Sequence, residues 1–557
     1  MQIKVSEFIV NYMERLGIEC IFGMPGAHIL PVYDALYDSP IQAVLAKHEQ
    51  GAAFMAGGYA KSSGSVSACI ATAGPGATNL ITGIANAYAD RLPVLAVTGE
   101  APTYIFGKGG LQESSGEGGS ISQADLFRSI TRYCRVVERV DYLPQVLTQA
   151  ANALLSPTPG PVLLTIPYNV QNELIDADLL DSVSMATRAT PAIPSLPMPP
   201  LRDLARLVLD AEHPVIIAGY GSIRSGAHGS ISRLSALLNI PVASSLKGKG
   251  IIDERSALAL GSLGVTSNGH AYRYILEKAD LLIVLGAGFN ERTSYLWDEA
   301  LLGGRKIVQV DSDPGQLEKV FHAEIAICGD IDATISALLE EIETRIQNRP
   351  DDGATATRVA EEKRTSNADW QIFKSGFSLA EAFFQHLREH FQQEAVVFDD
   401  NIIFAQNFYD VSEHTNYYPN SGISSLGHAI PAAIGAQFHR TRPCFAVIGD
   451  GGFQMCCMEI MTAVNYAKPL NVVLFNNGTM GLIRKNQHQL YNRRFINADF
   501  VNPDYASLAH AFGINYKKIT QLSDLDALFD TFDLEHTINL IDIEIDKDAF
   551  PNYSSKR

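Results

Sequence analysis

Residues 443–485 read PCFAVIGDGGFQMCCMEIMTAVNYAKPLNVVLFNNGTMGLIRK. A short apolar run ends at Gly449-Asp450-Gly451, a helix-patterned segment follows, and a second apolar run ends at Asn476-Asn477-Gly478. This is a βαβ unit whose polar side chains fall at the carboxyl ends of both strands, where open parallel sheets bind ligands. Asp450 offers a carboxylate and Asn477 an amide oxygen, hard donors suited to Mg²⁺ or Ca²⁺ carrying a diphosphate. Gly449, Gly451, Gly452 and Gly481 let the backbone approach a phosphate closely and leave amide N–H groups free at a helix start.

Gly-Asp-Gly alone is ordinary turn chemistry. Followed by 24 residues and then Asn-Asn, with an apolar strand before each, it resembles the thiamin diphosphate fingerprint. That resemblance implies a Mg²⁺ held by Asp450, Asn477 and the backbone carbonyl of Thr479.

The chain of 557 residues is too long for one core and suits about three domains. With 46% hydrophobic and 19% charged residues its composition is globular, and a formal charge of −18 argues against nucleic acid or anionic membranes as main partners. The seven cysteines form no CxxC pair and the N-terminus shows no secretory pattern, so the expectation is a cytoplasmic protein. No apolar run reaches about 18 residues, so no membrane span is expected.

Residues 41–64, IQAVLAKHEQGAAFMAGGYAKSSG, read as a strand ending at Lys47-His48-Glu49-Gln50 and running into a small-residue helix. Glu49 stands at a strand end entering a helix, where α/β enzymes present catalytic groups; the local alternative is a carboxylate favoured by the helix dipole. HEQGAAFMAGGYAKSSG and CIATAGPGATNLITGIANAYADRLPVLAVTGEAPT, at 48–64 and 69–103, resemble the acetohydroxyacid synthase (acetolactate synthase) branch of the thiamin diphosphate enzymes. The similarity runs from FGMPGAHILPVYDAL at 22–36 through PGPVLLTIP at 159–167 to LYNRRF at 490–495.

The resemblance implies an α/β fold of three domains, each a six-stranded parallel sheet flanked by helices. They are a pyrimidine-binding domain at 1–170, a central domain at 196–343 and a diphosphate-binding domain at 371–550, joined by a Pro-rich connector ending at 200 and a polar linker at 343–370. Glu49 becomes the carboxylate that hydrogen-bonds the cofactor's aminopyrimidine ring, a role that asks for a largely buried site. Gln112 aligns with a residue near the reacting centre, although its Gly/Ser-rich surroundings also read as a surface loop of high mobility. Leu426 takes the place of the large apolar residue that bends the cofactor, and equally reads as a core leucine. In the central domain the Gly-rich turn AGYGS at 218–222 is weak evidence for a nucleotide, while SSLKGKG at 244–250 looks more like FAD-free relatives; FAD stays open. The family builds its site across a dimer interface, so a homodimer or homotetramer is implied, and a small regulatory subunit is left open.

The acceptor pocket departs from the family. Asn486 stands where a Trp is expected, Gly288 replaces an Arg that faces the acceptor carboxylate, Tyr168 replaces a Lys, and Asn401-Ile402-Ile403-Phe404 replaces a GQHQ-like contact. His28 occupies a usually small position and either faces the substrate as an acid/base group or points to solvent at a helix start. The function read from the sequence is a carboligase that decarboxylates a 2-oxo acid, pyruvate first among candidates, and transfers the acyl-anion equivalent to a carbonyl acceptor. The alternative is a 2-oxo acid decarboxylase releasing an aldehyde, and the third reading is a non-catalytic binding paralogue.

Overall fold

The computed structural model describes residues 1–185, 198–345, 354–364, 371–391, 394–413, 416–440 and 442–553. Most of the Pro-rich connector therefore lies outside the described residues. The apolar runs assemble into three six-stranded sheets whose neighbouring strands are parallel. Strands such as Val162–Pro167, Leu281–Leu285 and Leu470–Asn476 are covered by helices on both faces, which is why they read as nearly continuous Val/Ile/Leu runs rather than alternating ones.

The first sheet runs Gln42–Leu45, Cys20–Gly23, Ser67–Ala71, Val94–Glu100, Val162–Pro167, Tyr133–Val136 from edge to edge. Numbered by appearance in the chain, that order is 2-1-3-4-6-5. The third sheet repeats it with Asn416–Pro419, Val396–Asp399, Cys444–Gly449, Leu470–Asn476, Ile538–Glu544 and Asn515–Ile519. The central sheet differs: Ala259–Ser262, Val242–Ser244, Pro214–Ala218, Leu281–Leu285, Lys306–Asp311, Ile325–Cys328 gives 3-2-1-4-5-6, the order of dinucleotide-binding sheets. A short antiparallel pair, Gln2–Lys4 with Leu174–Asp176, ties the two ends of the first unit together.

The first and third units share one hydrophobic core, in which alanines 52, 53 and 56 meet alanines 429, 432 and 433. The helices Glu49–Ser63 and Ala429–Ala436 touch backbone to backbone there. A Cβ on Gly58 would lie 2.0 Å from the Ala432 carbonyl oxygen, and a Cβ on Gly435 would lie 2.0 Å from that of Met55, so both positions require glycine. All three units meet at Asp90. Its carboxylate pairs with Lys61 Nζ at 2.6 Å and with Lys247 Nζ of the central unit, while a Cβ on Gly422 of the third unit would lie 2.7 Å from it. Both lysines hold the buried Asp90 carboxyl far below its ordinary value, against the opposing effect of burial.

The polar stretch 343–370 is more than a linker. Its described part contains the helix Ala354–Arg364, with Val359 buried and Glu362 paired to Arg273 at 2.7 Å, so it packs on the central unit. One apolar residue per few turns gave little periodicity from which to read it.

Candidate active site

The strands Cys444–Gly449 and Leu470–Asn476 pair in parallel with Gly449 opposite Phe475, which brings the two polar turns side by side. Asp450 opens the next helix and is 1% exposed. Its Oδ2 accepts from the backbone N–H of Asn477 at 2.9 Å, from that of Gly478 at 2.6 Å and from Asn502 Nδ2 at 2.8 Å, and Oδ1 accepts from Gly451 N–H at 3.0 Å. The carboxylate thus locks the Asn-Asn-Gly turn onto the Gly-Asp-Gly turn. Burial raises its pKa, opposed by these hydrogen bonds. Thr479 is buried, its hydroxyl donating to the Ala498 carbonyl at 2.8 Å.

A cavity of about 340 Å³ opens at this point. Its wall includes Leu426, Gly449, Asp450, Gly451, Gly452, Asn477, Thr479 and Gly481. Leu426 is half-buried on that wall rather than sunk in the core. The loop that carries it is held by Asp400, a residue the sequence did not single out. Asp400 Oδ2 accepts from Gly427 N–H at 2.8 Å and Oδ1 from His428 N–H at 2.8 Å, capping the helix Ala429–Ala436; burial pushes its carboxyl up to about 6. The neighbouring Asp399, buried beneath Tyr417, is pushed up to about 7 by the same cause. Asn401, also on the cavity wall, adopts φ 70° and accepts from Arg292 Nη1 of the central unit at 2.8 Å. Asn502 is a second residue missed from sequence, since Asn-Pro-Asp reads only as a turn. Its amide bridges Asp450 and Asn476.

No residue of the first unit lines this cavity. Glu49, His28 and Gln112 gather instead at the strand ends of the first sheet, around Thr72 and the Gly74–Gly76 turn. Glu49 is half-buried and its Oε2 accepts from Asn79 Nδ2 at 3.0 Å. The largely buried site expected for it is not completed by its own unit. His28 is buried, not solvent-facing: its N–H donates to Thr72 Oγ1 at 3.3 Å, its carbonyl accepts from Gln171 Nε2 at 2.7 Å, and its ring Nδ1 is buried without a partner. Gln112 is half-buried at φ 52°, its backbone against Gly74. The Gly/Ser-rich loop around it is knitted by Glu113, which accepts from the N–H groups of Gly107, Gly109 and Gly110, and by Ser114, which donates to Glu100 Oε2 at 2.8 Å.

Of the positions that depart from the family pattern, Tyr168 and Gly288 are exposed and Asn486 is half-buried. The central unit's AGYGS turn has a structural explanation. Gly219 N–H donates to the Leu285 carbonyl at 2.8 Å and Gly221 N–H to the Gly286 carbonyl at 3.1 Å, and a Cβ on Gly219 would lie 2.2 Å from Gly286 O. Those amides are spent on the neighbouring loop, so this turn does not fit as a diphosphate cradle.

Among the described residues no helix is long and apolar enough to cross a membrane, and no group of three His, Cys, Asp or Glu side chains could hold a metal. A site like that around Asp450, with one carboxylate, one amide and one carbonyl, is not such a group.

Family models for three thiamine pyrophosphate enzyme domains match the chain in order: the N-terminal TPP binding domain over 3–118, the central domain over 201–338 and the C-terminal TPP binding domain over 401–543. The chain is 32% identical to the probable acetolactate synthase large subunit of Methanocaldococcus jannaschii, across 98% of this chain and 92% of that protein. It is 31% identical to the acetolactate synthase of Arthrospira platensis, across 92% and 89%. It is 30% identical to the acetolactate synthase isozyme 2 large subunit of Escherichia coli, across 97% and 95%. Carrying the three domains in sequence and matching these relatives nearly end to end, the chain belongs to the thiamine pyrophosphate enzyme family, on the branch of the acetolactate synthase large subunits.

Proposed function

We propose that this protein is a thiamin diphosphate-dependent carboligase, which decarboxylates a 2-oxo acid and joins the remaining acyl unit to a carbonyl acceptor. The observation that carries the reading is the cavity in which Asp450 and Asn477 stand together with Leu426 and four glycines. The Asp450 carboxylate, the Asn477 amide oxygen and the Thr479 carbonyl are hard donors that suit Mg²⁺, and the glycine turns suit a diphosphate. Bound there, the cofactor supplies an electron sink for loss of CO₂ and a nucleophilic carbon for ligation.

In this proposal residues 1–170, 196–343 and 371–550 are the pyrimidine-binding, central and diphosphate-binding domains. Glu49 hydrogen-bonds the cofactor's pyrimidine ring and exchanges a proton with it. His28 and Gln112 face the substrate; the unpartnered Nδ1 of His28 supports a ligand there. Because these residues do not line the Asp450 cavity, a second copy of the chain supplies them, in a homodimer or homotetramer. Relatives such as that of Methanocaldococcus jannaschii are large subunits by name, and a smaller partner polypeptide belongs to the proposal for that reason; a cytoplasmic location belongs to it on the cysteine pattern, seven cysteines with no CxxC pair. FAD plays no part in the proposed reaction.

The names of the relatives favour ligation over aldehyde release, and the intact Asp450, Asn477 and Glu49 favour catalysis over a binding role. The test is purified protein with thiamin diphosphate, Mg²⁺ and pyruvate, with and without FAD, following CO₂, acetaldehyde and acetolactate together. The expected result is acetolactate, independent of added FAD. Acetaldehyde equal to CO₂ replaces ligation by release, and neither product removes pyruvate as the donor.

A further inference from the structure

Several backbone amides of the two turns that carry Asp450 and Asn477 are already committed within the protein. Those of Gly451, Asn477 and Gly478 donate to the Asp450 carboxylate, that of Thr479 to Asn477 Oδ1 at 3.2 Å, and that of Met480 to the Ala498 carbonyl at 2.7 Å. The same cavity wall presents two carboxyl groups, Asp400 and Asp450. A diphosphate brings more negative charge than one divalent cation cancels, and the chain's formal charge is already −18. Its binding there calls for a cationic side chain as well as glycines.

The chain that leaves the strand Ile538–Glu544 supplies one. Ile545 N–H donates to the Asn476 carbonyl at 2.9 Å, which sets this segment beside the Asn-Asn-Gly turn. A turn follows, closed by Ala549 N–H donating to the Asp546 carbonyl at 3.1 Å and by Asp548 N–H donating to Asp546 Oδ1 at 2.9 Å. Asp548 accepts from Arg484 Nη2 at 2.6 Å, and Arg484, 5% exposed, is fixed in its turn by Asp499 Oδ2 at 2.8 Å. The segment is thus anchored to the helix Gly481–Leu490, whose first residues line the cavity. Lys547 stands between the two ends of that turn. It is exposed and lines the cavity together with Ile545, Ala549 and Pro551, and among the described residues on that wall it is the one cation.

We propose that Lys547 Nζ binds the diphosphate of the cofactor and supplies the positive charge that the committed amides of the two turns do not. It rests on thiamin diphosphate as the occupant of the Asp450 cavity. An ammonium on a flexible stem is a point charge suited to phosphate oxygens, and the anchored turn holds its base beside the Asn-Asn-Gly turn.

The experiment titrates the full chain, freed of cofactor, with thiamin diphosphate and separately with inorganic diphosphate, both with Mg²⁺, by calorimetry at low and high ionic strength. In Lys547→Gln both dissociation constants rise at low salt by about tenfold, the loss of one charge-assisted contact, and the gap to the unaltered protein narrows as salt screens the ammonium. Lys547→Arg keeps most of the affinity, and the unfolding midpoint of each variant stays level because an exposed residue has been changed. Unchanged constants in Lys547→Gln, or weaker thiamin diphosphate with inorganic diphosphate unaffected, overturn the role of Lys547. So does a loss of affinity that Lys547→Arg shares and that comes with a lower midpoint. An unaltered protein that binds no thiamin diphosphate overturns the occupant as well. The expected binding shifts in a protein that forms no acetolactate support Lys547 and remove only the carboligase reading.

Discussion

Glu49 is positioned by a residue of another unit. Glu459 Oε1 accepts from the backbone N–H of Lys47 at 3.1 Å and of His48 at 2.9 Å, so the helix start that carries Glu49 is gripped from the third unit. Replacing Glu49 with Gln keeps that scaffold and removes only the ionisable oxygen. The expected result is a protein that retains thiamin diphosphate yet slows exchange of the cofactor's C2 proton, followed by NMR in D₂O, by at least about tenfold. Asp399 gives a second residue-level expectation. Its folded pKa of about 7 stands above the ordinary carboxyl value of 3.8, so the protonated form is the one the fold favours. Its contribution to stability is full below pH 3.8 and is lost as pH rises toward 7. Asp399→Asn, which mimics the protonated acid, therefore gains on the unaltered protein between pH 5 and pH 7.5 in urea unfolding; a constant difference between the two would refute it. At this scale the places of Asp450, Asn477 and Glu49 in the fold are legible in the sequence because strand ends and glycine turns are local signals. Asp400 is not, because its place on the cavity wall depends on the loop at Gly427 and His428 that it holds, far from it in sequence.

Among the elements, the pair of helices Glu49–Ser63 and Ala429–Ala436 bears most directly on the site, since one begins at Glu49 and the other follows Leu426. Their alanine and glycine content reads from sequence as a small-residue helix in each case. The identity of the neighbour that needs the smallness is visible only in three dimensions. Gly58→Ala places a methyl 2.0 Å from a carbonyl oxygen in a backbone contact with no flexible side chain to yield. The expected cost is about 1–3 kcal/mol of unfolding free energy, the usual price of overpacking, against a small gain for the same change on an open helix face. Equilibrium denaturation measures it. The helix Ala354–Arg364 shows the opposite failure of legibility: with one buried valine and many charges, its attachment comes from specific ion pairs such as Arg273–Glu362 rather than from an apolar stripe.

Across the whole molecule, Asp90 is a point at which all three units meet. Its two lysine partners come from KSSG and KGKG segments whose charges, read locally, belong to solvent; burial turns them into a strut between units. Asp90→Asn leaves both lysines facing a neutral amide, Lys61 at 4% exposure, and is expected to cost about 3–5 kcal/mol, as breaking a buried pair does. The signature is loss of cooperative unfolding, with the central unit melting apart from the other two in calorimetry. At this scale the expected assembly rests on resemblance alone, because nothing local in either half of the candidate site says what completes it.

The repeated strand order gives the chain an internal likeness between its first and third units. The first and third sheets share 2-1-3-4-6-5, and their equivalent helices meet reciprocally, the glycine of each against a carbonyl of the other. Glu49 and Leu426 both follow the second strand of their sheets, and the Gly74–Gly76 turn and the Gly449–Gly451 turn both follow the third. One layout is thus used twice in the chain with different polar ends: an acid after the second strand of the first sheet, a glycine turn with Asp450 after the third strand of the other. Because the first end does not line the cavity of the second, the internal likeness of the two units does not by itself close the site within one chain.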